Sequence, residues 1–327
     1  MTNYHLKKFY NTILCQAFSP CGNYFVAGDI YGKISVFHLS KLINPDVKLS
    51  KDEQFPKCTF EVCPNMQINS LLSTETYLIV GAVGEIKAYL WKNIKTSKNV
   101  SCAWSIDIPN DKGGLDKPDV NSLYFLHERD LLLAGCGDNN IYAFQIETRK
   151  PVKTLSGHSD YVHCLCGLGN DLISGSEDGS VCIWDIRENK KRNQIHPYMN
   201  DEINRPDLGK WIGAVGYNED FLICGGGPRL SLWHFRSLNH STIFPIEDKG
   251  IHVAEIYQDK VFAGGRSEYF YQLSFNGNII AEIPTSGVTT YSMIHQEEPY
   301  KALCIAGSSP KIDVCSNFVY RDLVLTV

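Results

Sequence analysis

Residues 157–185 read GHSDYVHCLCGLGNDLISGSEDGSVCIWD, and this stretch decides the fold. Its second half is a hairpin. Leu172 to Gly175 is a short apolar run closing on Ser-Gly, a polar tight turn follows, and an alternating strand ends on Trp184. Glycine supplies the positive φ angles that such a turn needs. Six other segments have the same form: FVAGDIYGKISVF (25–37), LIVGAVGEIKAYLW (78–91), LLLAGCGDNNIYAF (131–144), LICGGGPRLSLW (222–233), VFAGGRSEYFYQL (261–273) and LCIAGSSPKIDV (303–314).

Gly28, Gly81, Gly135, Gly175, Gly225, Gly264 and Gly307 mark the repeats at intervals of 53, 54, 40, 50, 39 and 43 residues. Repeats of about 40–45 residues with four strands each build β-propeller blades, the longer intervals being loop insertions. The hairpin cores near 25–39, 78–91, 131–146, 171–186, 221–235, 260–273 and 301–316 predict an all-β, seven-bladed propeller occupying residues 1–327 as a single domain. The Gly157-His158 and Trp184-Asp185 pairs make the fourth repeat resemble the WD-repeat (WD40) family. That resemblance implies a hydrogen-bonded tetrad of His158, Ser174, Asp178 and Trp184, in which every buried polar group has a partner. The other blades lack the full set and are expected to rely on packing. For the seventh blade, RDLVLTV (321–327) is the favoured outer strand, with residues 1–10 as the alternative.

Composition bounds the function. Net charge is −5 and the pI near 6.1, which argues against a surface devoted to coating nucleic acid but leaves room for a local basic patch. Twelve cysteines are scattered singly, as small buried hydrophobes are. With no leader-like start and no apolar run near the ~18 residues of a membrane span, a soluble protein of a reducing compartment is expected, without membrane contact. The acceptor triplets at 99–101 and 239–241 are then irrelevant.

Catalytic chemistry is thin. His163, Cys164 and Cys166 lie near His158 and could suggest zinc. The adopted reading places Val162, Cys164 and Cys166 inside the blade as alternate strand positions. Gly225, Gly226 and Gly227 have no Lys-Ser/Thr after them, so they read as a turn and not a phosphate loop. The inner-strand segments are LCQAF, INSLL, VNSLYF, VHCLC, WIGAV, HVAEI and TYSMI, and the histidines and carboxylates at their central positions are His163, His252 and Glu255, with His295 just past the last. No enzyme activity, metal, cofactor or small-molecule substrate is expected.

Partner contact is expected instead. Residues 107–119 and 197–210 are expected to enlarge one propeller face, and residues 40–56 and 92–101 the other. The stretch PYMNDEINRPDLGKWIG (197–213) holds Tyr198, Arg205, Lys210 and Trp211, types enriched at interface hot spots. Arg229, Arg266 and Lys311 are placed in turns of the same face. Lys190-Lys191-Arg192 reads as a solvated turn.

Further strings resemble the THO complex subunit 6 family, WD-repeat subunits of the mRNA-export assembly: SPCGNYFVAG (19–28), GEIKAYLW (84–91), GHSDYVHCL (157–165), Arg205-Pro206 with KWIG (210–213), CGGGPRLSLWHFRS (224–237) and TIFPI (242–246). They follow in order over nearly the whole chain. The resemblance implies a nuclear, non-catalytic scaffold of the THO/TREX complex. Its partners would be other THO subunits, especially the coiled-coil subunits 5 and 7, with RNA contacted mostly indirectly. LISGSEDGSVCIWDIR (172–187) also fits the box of WD-repeat substrate receptors in cullin-RING ubiquitin ligases, with Arg187 as the adaptor contact.

Overall fold

The computed structural model describes residues 3–43, 54–97, 100–109, 117–188, 190–246 and 250–327. Within them, twenty-eight strands form seven four-stranded antiparallel sheets. The first is β1 (Ile13–Phe18), β2 (Tyr24–Asp29), β3 (Lys33–His38) and β4 (Cys58–Glu61). The second is β5 (Ser70–Ser73), β6 (Tyr77–Gly81), β7 (Glu85–Leu90) and β8 (Cys102–Asp107). β9 (Val120–Leu126), β10 (Leu131–Cys136), β11 (Asn140–Gln145) and β12 (Lys150–Ser156) form the third. The fourth holds β13 (Val162–Leu168), β14 (Asp171–Ser176), β15 (Val181–Asp185) and β16 (Lys190–Ile195). The fifth holds β17 (Ile212–Tyr217), β18 (Phe221–Gly226), β19 (Ser231–His234) and β20 (His240–Ile243). β21 (Ile251–Tyr257), β22 (Lys260–Gly265), β23 (Tyr269–Ser274) and β24 (Ile279–Pro284) make the sixth. β25 (Thr290–Gln296), β26 (Ala302–Gly307), β27 (Lys311–Cys315) and β28 (Leu323–Thr326) make the seventh. In each sheet consecutive strands pair, so each sheet is one blade, and the fold class is a seven-bladed β-propeller.

The chain divides into two compact units, residues 1–111 with 283–327 and residues 112–282. In the second unit the core lies between blades. Leu133, Ile141 and Leu155 of the third blade pack with Val162, Leu172 and Trp184 of the fourth. Ile173 and Ile183 of the fourth meet Ile212, Leu222 and Trp233 of the fifth. Ile223 and Leu232 continue the pattern against Val261 and Leu273 of the sixth. In the first unit, Val26 and Val36 share a cluster with Leu78 and Val80, and Phe25 and Phe37 share one with Cys304 and Val314. A second strand covered on both faces must be apolar throughout, which is why these runs do not alternate.

The landmark glycines are not the turn glycines. In the first four blades the turns take their positive φ from Gly32, Gly84, Asn139 and Gly179. Gly175 lies in extended β14, where a Cβ would come within 2.6 Å of Ile212 Cγ2 and 2.7 Å of Cys164 Sγ. At Gly135 the obstruction is Val162 Cγ1, at 2.8 Å. These glycines allow the inner strand of the next blade to approach.

Inner strands share a second device. In β1, β9, β13, β17, β21 and β25 the pairing skips one residue, the second of the strand: Leu14, Asn121, His163, Gly213, His252 and Tyr291. Before each stands a buried β-branched residue: Ile13, Val120, Val162, Ile212, Ile251 or Thr290. Such bulges re-aim a side chain without disturbing the ladder beyond them.

The C-terminal segment pairs β28 with β27 as the outer strand of the seventh blade, while residues 3–9 form helix α1 (Asn3–Phe9). Two local expectations change. Residues 92–101, expected as a loop, begin with helix α3 (Trp91–Thr96), which buries Trp91 and Ile94. A short helix α2 (Leu39–Leu42) follows β3 and buries Leu39 and Leu42. Lys190-Lys191-Arg192 is not a turn but the start of β16, with all three side chains exposed. Of the expected face loops, 44–53 and 110–116 lie outside the described residues, as do residues 98 and 99 of the first acceptor triplet.

Candidate functional site

The fourth blade joins His158, Ser174, Asp178 and Trp184 in one buried chain. His158 Nδ1 meets Asp178 Oδ2 at 3.0 Å and its Nε2 meets Ser174 Oγ at 2.7 Å, while the Trp184 indole donates to Ser174 Oγ at 2.8 Å. With Nδ1 donating to the carboxylate, Ser174 donates to Nε2 and accepts from Trp184, so each group is satisfied. Ser180 is a fifth member that the sequence reading missed. Its hydroxyl donates to Asp178 Oδ1 at 2.6 Å and lies 3.0 Å from His158 Nδ1. The signal was the Asp-Gly-Ser turn, where an Asp side chain caps the N–H two residues on, here at 2.8 Å. Burial would raise the Asp178 pKa. Bonds from His158, Ser180 and the Ser159 and Ser180 amides overcome it and hold the carboxyl well below its ordinary value.

Other blades do not rely on packing alone, contrary to expectation. In the fifth, the Trp233 indole donates to Ser231 Oγ at 2.9 Å. In the third, Tyr142 donates to Asp138 at 2.5 Å. In the first, Asn11 donates to buried Asp29 at 2.9 Å. In the seventh, buried Asp313 accepts from the Ser286 amide and hydroxyl, both at 2.6 Å, and from Arg321 at 3.1 Å. Each is an aspartate or serine network built from different partners.

The segment between β16 and β17 builds the candidate interaction surface. Tyr198 sits in a 3-10 turn, Pro197–Met199, with the Lys210 ammonium 5.8 Å from its ring centroid. Gly179 lies beneath them, and a Cβ there would come within 2.8 Å of Tyr198 and 2.9 Å of Lys210. The Trp211 indole donates to the Leu208 carbonyl at 2.9 Å and stacks on His252, with centroids 5.0 Å apart and planes at 25°. Gly250 faces the far edge of that indole, and its carbonyl takes the amide of exposed Arg266 at 3.0 Å. The structure therefore brings Tyr198, Lys210, Trp211 and Arg266 around one patch. Arg205 acts from below. Its Nε donates to Gly227 O at 2.8 Å, and its Nη2 to Gly226 O at 3.2 Å and Pro228 O at 3.1 Å, bracing the 226–228 turn. Arg229 is half-buried, with its amide on the Ile203 carbonyl at 2.8 Å. Lys311 opens β27 in the other compact unit and is exposed.

Two groups beside the patch bear on chemistry. His163 Nε2 lies 2.8 Å from Glu177 Oε2, a partly exposed pair. Burial, with His163 nearby, pushes the His252 pKa down to about 4, so this ring is neutral at pH 7. Burial pushes the Cys164 thiol up to about 12 and Cys166 well above its ordinary value. No group of three or more His, Cys, Asp or Glu with metal-holding geometry occurs among the described residues. The arrangement offers aromatic and cationic contact, not a nucleophile with its base. Arg187 is paired with its own blade: Nε and Nη2 reach the two Asp185 oxygens at 2.9 and 2.6 Å, and this holds Asp185 at about 2.

The family model for the WD domain, G-beta repeat, matches residues 149–185, from β12 of the third blade through β15 of the fourth, which takes in all four tetrad residues. THO complex subunit 6 of Drosophila melanogaster is 35% identical over 321 residues, covering 97% of this chain and 89% of the relative. A THO complex subunit 6 homolog of Danio rerio is 37% identical, covering 96% of this chain and 97% of the relative. The Homo sapiens THO complex subunit 6 is 35% identical, covering 98% and 94%.

Proposed function

The chain belongs to the THO complex subunit 6 family, and from that premise we propose that it is a non-catalytic protein-interaction scaffold of a nuclear THO/TREX assembly, acting in mRNA processing and export. The observation that carries the reading is similarity over nearly the full length of both chains, 94% or more of the Danio rerio and Homo sapiens relatives. A propeller displaying aromatic and cationic side chains around braced turns suits that role, since such anchors dominate protein interfaces. The partners are other THO subunits, the coiled-coil subunits 5 and 7 foremost, met at the patch of Tyr198, Lys210, Trp211 and Arg266. RNA is reached mostly through those partners.

Affinity purification of the tagged chain from nuclear extract tests this. THO subunits are expected in the eluate. Their absence, with a ubiquitin-ligase adaptor in their place, overturns the proposal in favour of the receptor role. A direct RNA contact would show a steep salt dependence, and none is expected.

A further inference from the structure

Positive charge is distributed unevenly over the outer strands. β12 carries Lys150 and Lys153, and β16 carries Lys190, Lys191 and Arg192. β4, β8, β20, β24 and β28 carry no Lys or Arg at all. Edge strands often bear lysine to block pairing with another chain. That explanation fails here, because β8 and β20 are exposed edges too and do without it. Outer-strand bulges already blunt β8, β12, β16 and β20 alike, and β12 has Pro151 besides.

The two basic strands belong to neighbouring blades of one compact unit, and a lysine of each reaches the segment beside the other. Lys153 Nζ donates to the Ile186 carbonyl at 2.6 Å, in the turn leading to β16. Lys191 Nζ reaches the Gly157 carbonyl, in the segment following β12, at 3.4 Å. Five basic residues thus stand on two neighbouring outer strands of a chain whose net charge is −5. Carboxylates already sit on it: Asp171 takes Arg192 at 3.2 Å and Asp185 takes Arg187. Glu147 and Glu188 are the other acids on the adjoining turns, both exposed.

We propose that the outer edge of the third and fourth blades is a docking surface for an acidic segment of a partner protein, held by Lys150, Lys190 and Arg192 through side-chain ion pairs. Strand addition is not the mode, since Pro151 and the bulge at Arg192 interrupt both edges. Charge complementarity names the occupant. The rival polyanion, single-stranded RNA, is bound where aromatic side chains stack its bases, and neither KPVKTLS nor KKRNQI contains one. The surface uses none of the residues of the Trp211 patch, and the inference does not depend on which complex the chain joins.

Fluorescence anisotropy of the full chain tests it, with a short glutamate-rich peptide and a uridine oligonucleotide of similar length as probes. The peptide should bind, and Lys150→Gln/Lys190→Gln/Arg192→Gln should weaken it about tenfold. Lys41→Gln/Lys92→Gln/Lys301→Gln, three exposed lysines of the other unit, should leave it within about twofold. All six side chains are exposed, so unchanged melting temperatures are expected, and Lys190→Gln alone gives a smaller loss in the same direction if the triple variant does not fold. No peptide binding, or equal losses in the two triple variants, overturns the proposal. Tighter binding of the oligonucleotide, lost in the first triple variant, overturns it in favour of RNA. Recovery of THO subunits from extract is a separate readout and is unaffected by either result.

Discussion

Replacing Ser174 by Ala removes a single oxygen, yet it strands two buried groups. Ser174 is fully buried, His158 is 8% exposed and Trp184 is 1% exposed. The Trp184 indole loses the acceptor at 2.8 Å and His158 Nε2 loses the donor at 2.7 Å. Leaving a buried polar group unsatisfied costs about 1–3 kcal/mol, so two such groups put the loss at about 2–6 kcal/mol. The fifth blade supplies an internal control. Ser231→Ala strands the Trp233 indole, whose bond is 2.9 Å, and should cost about 1–3 kcal/mol by the same rule. Equilibrium urea unfolding at pH 7, followed by tryptophan fluorescence, reads both. The expected order is wild type, then Ser231→Ala, then Ser174→Ala, with the second loss about twice the first. If Ser174→Ala costs no more than Ser231→Ala, the tetrad is not acting as a connected network and the reasoning fails.

Acidification should destabilise the fold in two windows. His252 has a folded pKa near 4, below its unfolded value, so the unfolded state takes the proton first and stability falls by about 2–3 kcal/mol from about pH 6.5 to 4. His252→Gln should flatten that fall in urea midpoints between pH 7 and 5. Asp178 is also depressed, so its contribution stands above its unfolded value near pH 4 and is lost below it. Arg205→Ala removes the donor from three carbonyls and should lower stability by about 1.5–3 kcal/mol, read as a fall in melting temperature. Gly227→Ala would place a Cβ 2.2 Å from the Gly209 carbonyl oxygen, whereas at Gly169 nothing lies within 4 Å and only its positive φ resists. Soluble yield should collapse for the first and survive for the second at a cost of about 1 kcal/mol. Arg187→Ala removes the pair that holds buried Asp185 low and should lower the melting temperature modestly while leaving the fold intact, and loss of a ligase adaptor from the eluate would support the receptor reading.

The seven hairpin cores were legible because their cues are local: an apolar run, a turn residue and an alternating strand within about a dozen residues. The four-residue tetrad was legible for a similar reason, since His158, Ser174, Asp178 and Trp184 keep a recognisable spacing. What escaped was assembled from farther away. Ser286, Asp313 and Arg321 converge from two loops and a strand with no motif to announce them. Helix α3 was hidden because Trp91 closes β7 in the same way that an outer aromatic closes the other hairpins, and its burial against the first two blades is a tertiary fact. Lys190 to Arg192 looked like a turn on polarity alone. An outer strand exposed on most positions has no alternation to reveal it. The patch was half legible: Tyr198, Lys210 and Trp211 adjoin as expected, while the bracing role of Arg205 depends on carbonyls more than twenty residues away.

The skipped residue near the start of six inner strands divides labour along the chain. The residue before it is β-branched and buried, answering to the core. The skipped one is only partly buried and lies outside the ladder, and it is Leu, Asn, His, His or Tyr in five of the six strands. At the sixth, Gly213, the Trp211 indole fills the space a side chain would need, 2.5 Å from where its Cβ would be. The blade rim can therefore change its chemistry one position at a time while the packing beneath stays the same. Borrowed from a neighbouring loop at Gly213 and carried by the strand itself elsewhere, that rim is a row of interchangeable sockets on a fixed chassis.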